Sequence, residues 1–106
     1  MVTKTKIKKS EILLGKAKSY LIGETKIIIS NINGSYYAIG DICSHDEGEL
    51  LNGECNLIED CLIECPRHGA RFNLKTGNAV RMPAVAPIPT FKVNILKDEL
   101  EILIEE

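Results

Sequence analysis

Cysteine and histidine occur in this sequence as two mixed pairs, and those pairs are its strongest chemical signal. Cys43-Ser44-His45 is a Cys-x-His pair, and Cys65-Pro66-Arg67-His68 is a Cys-x-x-His pair, with nineteen residues between His45 and Cys65. Together they use both histidines of the chain and two of its four cysteines. Thiolate and imidazole are the donors that bind zinc, copper and iron–sulfur centres. In an extended segment, residues two apart project to the same side, so Cys43 and His45 can face one centre. Pro66 disfavours the helical region for Cys65 and keeps that ligand on an extended or turn-like path. Gly48 and Gly69, which follow the two pairs, let backbone approach an inorganic group closely and turn N–H donors toward sulfur. Two thiolates and two imidazoles also suit a closed Cys2His2 zinc site. The common zinc spacing, however, groups cysteine with cysteine and histidine with histidine. With both histidines committed as ligands, no nucleophile–base pair is left, so the chain is not expected to be an enzyme by itself.

Such loops need a rigid frame, and the rest of the chain reads as β-structure. Residues 26–32 are rich in isoleucine and stop at Asn33-Gly34, the strongest short hairpin signal, with residues 35–39 as the returning strand. Residues 7–14 and 17–22 supply two earlier strands. Near the far end, residues 90–96 and 100–104 flank a Lys97-Asp98 turn. The alternation Phe91-Lys92-Val93-Asn94-Ile95 fits a strand with one wet face. Helix is not needed anywhere, beyond one short turn within residues 10–18. The stretch from about 41 to 89 differs, holding all the cysteines, histidines and prolines, with brief strand-like pieces at 61–64 and 70–73 and a turn at Thr76-Gly77-Asn78. The expected fold is all-β: an antiparallel sandwich or partial barrel, one domain over 1–106, carrying a small inserted subdomain at about 41–89.

Composition narrows the class. The chain has 106 residues, 44% apolar and 26% charged, as in an ordinary compact domain. A net charge of −2 leaves no basic footprint for nucleic acid. The longest apolar run is four residues, Tyr36 to Ile39, far short of a membrane span or a secretory core. A cytoplasmic protein without membrane contact is expected, and in that compartment a cysteine cluster points to metal before disulfides.

The paired motif resembles that of the Rieske iron–sulfur proteins. The resemblance continues past the ligands through Phe72, Thr76-Gly77 and a proline-rich stretch at 82–89 leading into Phe91-Lys92-Val93. Upstream it takes in the hairpin from Asn33-Gly34 to Asp41. It implies one [2Fe–2S] cluster per chain, with Cys43 and Cys65 on one iron and His45 and His68 on the outer one. Replacing two thiolates by neutral imidazoles makes an added electron less repelled, which raises the potential to roughly −150 to +300 mV from about −400 mV. The respiratory members carry an extra cysteine in each loop, and Gly48 and Arg67 stand at those places here. Those members also donate hydrogen bonds to cluster sulfur from a Ser and a Tyr, where this chain has Ala70 and Phe72. The resemblance is therefore to low-potential Rieske-type ferredoxins that serve oxygenases, with an expected potential of about −150 to 0 mV. The nineteen-residue separation is longer than in compact ferredoxins of this type, and the surplus is assigned to a loop near residues 52–56.

The function this implies is one-electron transfer from a reductase to an oxygenase or related acceptor. The alternatives are a cluster-bearing accessory subunit of a larger redox enzyme and the zinc module. Cys55 and Cys61 are expected to be structural, free or bridged. Asp46, Glu47, Glu49, Arg67 and Arg71 read either as a solvated surface or as charges that steer a redox partner. The lysines from 4 to 9 read as a solvated strand face.

Overall fold

The computed structural model describes residues 2–42, 54–56, 62–64, 70–82 and 86–105. Ten strands lie in these segments: β1 (Val2–Lys8), β2 (Lys16–Ile22), β3 (Thr25–Ile32), β4 (Ser35–Gly40), β5 (Glu54–Asn56), β6 (Leu62–Glu64), β7 (Arg71–Asn73), β8 (Ala79–Arg81), β9 (Thr90–Ile95) and β10 (Glu99–Glu105). The only helical element among the described residues is one 3₁₀ turn, Lys9–Glu11, which overlaps the start of the 10–18 region where a single turn was allowed for. The large sheet has the order β1-β10-β9-β4-β3-β2-β5, and β6-β7-β8 form a second, small sheet. Every pairing is antiparallel. The expectation of a sandwich or partial barrel resolves into a curled half-barrel with a small sheet against it.

The middle of the large sheet is its driest part, and the isoleucines of β3 explain why. Ile27, Ile28 and Ile29 are all fully buried, which consecutive strand residues achieve only when both faces of the sheet are covered. Ile27 and Ile29 face one core with Ile7, Ile22, Ala38, Leu100, Ile102 and Ile104. Ile28 and Ile32 face another core, shared with Ile63, Phe72 and Leu74 of the small-sheet region and with Ile88. One strand thus supplies both cores, a division set by the two-residue period of its side chains.

The β3–β4 hairpin turns as Asn33-Gly34 foretells. Both residues have positive φ, 52° and 88°, the geometry of the tight turn that matches strand twist. Asn31 holds it from inside. Its Oδ1 accepts the Gly34 N–H at 3.1 Å, and its Nδ2 donates to the Ile12 carbonyl at 3.0 Å and to the Tyr36 hydroxyl at 3.4 Å. At the sheet's edge β1 exposes Lys4, Lys6 and Lys8, charges that discourage further strand pairing.

Three details differ from the sequence expectation. The first strand occupies Val2–Lys8 rather than 7–14, because exposed lysines alternating with threonine and Ile7 fit one wet face. Residues 54–56, assigned above to a loop, form β5 and pair with Lys16, Ala17 and Lys18 on the edge of the large sheet. Strand β8 has no counterpart in the sequence reading. Three residues carry too little periodicity to mark β5 and β8, although the equally short β6 and β7 fall within the strand-like pieces at 61–64 and 70–73.

Candidate metal centre

Cys43, His45, Cys65 and His68 lie outside the described residues, as do Cys61, Gly48, Gly69, Asp46, Glu47, Glu49 and Arg67. The described structure supplies the anchors on either side of them. Cys43 comes three residues after the end of β4, and that end is held twice. The Gly40 N–H donates to the Pro89 carbonyl and the Asp41 N–H to the Lys26 carbonyl, each at 2.9 Å. Asp41 itself is buried.

The second pair sits between β6 and β7. Glu64, directly before Cys65, is the register partner of Arg71. Partners in an antiparallel ladder lie roughly 4.5–5.5 Å apart. The two strands therefore hold both ends of the segment carrying Cys65 and His68 close together. Arg71 Nε donates to Glu64 Oε1 at 2.9 Å, which closes the same ladder through side chains. Arg71, read above as either a solvated surface charge or a steering charge, is thus engaged within the chain. Both side chains are about a third exposed (31% and 36%), so the pair contributes at most about 0.2–1 kcal/mol.

Ala70 and Phe72, beside the second pair, are fully buried. Neither side chain has a hydrogen-bond donor, so they can present only apolar surface to whatever they cover. Tyr36 and Tyr37 of β4 pack, half-buried, against opposite cores, with Lys75 Nζ 5.8 Å from the Tyr37 ring centre. Among the described cysteines, Cys55 is paired by its backbone to Ala17 in the large sheet.

Beyond β7 the chain turns through Asn73, whose Oδ1 accepts the N–H groups of Lys75 at 2.8 Å and Thr76 at 3.3 Å. Gly77 follows with φ 77°. Its carbonyl accepts the Ile88 N–H at 2.7 Å, and a Cβ at this position would lie 2.1 Å from the Ile88 carbonyl oxygen. Sequence reasoning marked Thr76-Gly77-Asn78 as a turn but missed this close approach, which depends on residues eleven positions away.

With this framework in place, comparison with known proteins decides the family. The model of the Rieske [2Fe-2S] domain matches residues 4–92. The chain belongs to the Rieske [2Fe-2S] domain family. It is 42% identical over 69 residues to the 3-phenylpropionate/cinnamic acid dioxygenase ferredoxin subunit of Escherichia coli strain K12, a match that spans 65% of this chain and 63% of that relative. The aligned stretch is thus less than two thirds of the relative's length. Among solved structures, the ferredoxin of carbazole 1,9a-dioxygenase from Nocardioides aromaticivorans IC177 superposes with a TM-score of 0.83 at 25% identity, covering 94% of this chain and 96% of that one. A ferredoxin chain from a complex of reduced oxygenase and oxidised ferredoxin in carbazole 1,9a-dioxygenase gives a TM-score of 0.82 at 27% identity, covering 93% and 91%.

A Rieske domain carries one [2Fe–2S] cluster per chain. The donor set of this chain fits that group: two cysteines and two histidines in mixed pairs, the composition of Rieske ligation. Among the described residues, no helix is long and apolar enough to cross a membrane.

Proposed function

We propose that this Rieske protein is a one-electron carrier, a ferredoxin that takes an electron from a reductase and passes it to an oxygenase or related acceptor. The observation that carries the reading is the pair of mixed ligand motifs within a fold shared along more than nine tenths of its length with dioxygenase ferredoxins. In this reading Cys43 and Cys65 hold one iron, His45 and His68 hold the other, and the whole chain 1–106 acts as one domain. When bound, the cluster supplies a reversible one-electron couple with no coordination site left open for substrate.

The chain's own residues then do three things. The Glu64–Arg71 ladder and the twice-anchored end of β4 hold the flanks of the two ligand segments, so little rearrangement is asked of the protein when charge changes. Ala70 and Phe72 keep buried surface apolar and offer no donor, which disfavours the more negative reduced state and sets a low potential. Asp46, Glu47, Glu49 and Arg67 carry charge beside the ligands in the sequence and would orient partners. The same reading makes the protein cytoplasmic, independent of membrane and of nucleic acid, consistent with its net charge of −2.

Electron paramagnetic resonance of the dithionite-reduced protein tests cluster type and nitrogen ligation together. A nitrogen-ligated [2Fe–2S] signal with a midpoint of about −150 to 0 mV is expected. Colourless, iron-free protein would refute the reading, and a strongly positive midpoint would refute the low-potential assignment.

A further inference from the structure

Ile88 and Pro89 touch both halves of the molecule. On one side the Ile88 N–H donates to the Gly77 carbonyl at 2.7 Å, just beyond the small sheet. On the other, the Pro89 carbonyl accepts the Gly40 N–H at 2.9 Å, at the end of β4. The side chain of Ile88 is buried in the core between the two sheets. Both glycines are crowded at this point. A Cβ on Gly77 would lie 2.1 Å from the Ile88 carbonyl oxygen, and a Cβ on Gly40 would lie 3.2 Å from Pro89 Cγ and 3.3 Å from Ile88 Cγ2. Gly40 precedes Cys43 by three residues, whereas Gly77 follows the β6–β7 ladder whose ends flank Cys65 and His68.

We propose that Ile88 and Pro89 form a positioning strap, clamped between Gly40 and Gly77, that fixes the end of β4 against the turn after the β6–β7 ladder and so positions the supports from which the two ligand-bearing segments leave. The proposal rests on the ligand assignment given above and adds to it a residue-level device for tuning the centre. Nothing else among the described backbone hydrogen bonds joins the end of β4 and the turn after β7 through a common dipeptide. Two glycines at contacts this close mean that the strap tolerates no side chain on one flank and little on the other. A change in its seating shifts the end of β4 relative to the turn after β7, the described supports next to the two ligand-bearing segments in the chain.

The test compares glycine variants of the holoprotein. Gly77→Ala introduces both left-handed strain and the clash with Ile88. Gly34→Ala introduces the same kind of strain at φ 88° with nothing within 4 Å, at the opposite end of β4. The strap predicts that Gly77→Ala changes the g-values and midpoint potential, or lowers iron content, and speeds exchange of the Ile88 amide. Gly34→Ala should lower the melting temperature and leave g-values, midpoint and iron content unchanged. Gly40→Ala, with its milder contacts, should give a smaller change in the same direction and decides the matter if Gly77→Ala does not fold. Wild-type g-values, potential and iron content in the folded Gly77→Ala protein, or in Gly40→Ala when that variant decides, would overturn the strap alone. A wild-type protein without a nitrogen-ligated signal would overturn the ligand assignment, and the strap with it.

Discussion

The seven-stranded sheet and the three-stranded sheet are built on different principles. The large one has strands of up to eight residues, a strand buried on both faces, and a core of its own made almost wholly of isoleucine and leucine. The small one has strands of three residues each and holds its shape through turn chemistry at Asn73 and Gly77, the Glu64–Arg71 pair, and burial of Ile63 and Phe72 against the large sheet. Three-residue strands do not stand alone in water, so the small sheet depends on its neighbour. The contrast teaches that stability and chemistry are separated in this chain. One region folds through its own apolar periodicity, and the other borrows that platform to hold the flanks of the segment with the second proposed ligand pair.

The largest expected effect comes from His68→Ala, which removes a proposed ligand. Visible absorbance and the reduced-state signal should be lost, while far-ultraviolet circular dichroism keeps the signature of the large sheet. Loss of the whole β signal would show that the platform also depends on the centre, and the separation would fail. Next come two neighbouring isoleucines with different cores behind them. Ile29→Ala and Ile28→Ala should each cost roughly 2–5 kcal/mol in denaturant unfolding. Only Ile28→Ala opens the core between the sheets, so only it should also shift the midpoint potential. Equal shifts from both would blur the distinction.

A smaller effect is expected where apolar surface beside the second proposed ligand pair is given a donor. Phe72→Tyr should raise the midpoint if its hydroxyl reaches a cluster sulfur, by about 20–60 mV for a hydrogen bond of roughly 0.5–1.5 kcal/mol at one electron. Potentiometric titration reads this directly, and an unchanged midpoint would show that Phe72 faces only the core. The smallest effect belongs to Glu64→Ala. An ion pair this exposed should change stability by no more than about 1 kcal/mol, measured by thermal or urea unfolding. A larger loss would mean that the ladder beside Cys65 carries more of the small sheet than the core beneath it.

The candidate ligands were legible because residue type and spacing are themselves the chemistry. Mixed cysteine–histidine pairs, with a proline and glycines around them, specify a donor set whatever the fold. The hairpin at Asn33-Gly34 was legible for a similar reason: only residues that tolerate positive φ make that turn, so its identity is local. The isoleucine run announced a strand, and its burial on both faces came from the structure. Tertiary structure alone decided that Ile28 and Ile29 serve different cores, since the two-residue period separates faces without saying what covers each. It also decided that residues 54–56 join the large sheet and that Arg71 pairs with Glu64, because a partner across a sheet is named by register and not by sequence neighbourhood. The closeness of Gly77 to Ile88 belongs to the same class. A glycine in a sequence permits a close approach, but which backbone comes near is settled only when distant segments meet.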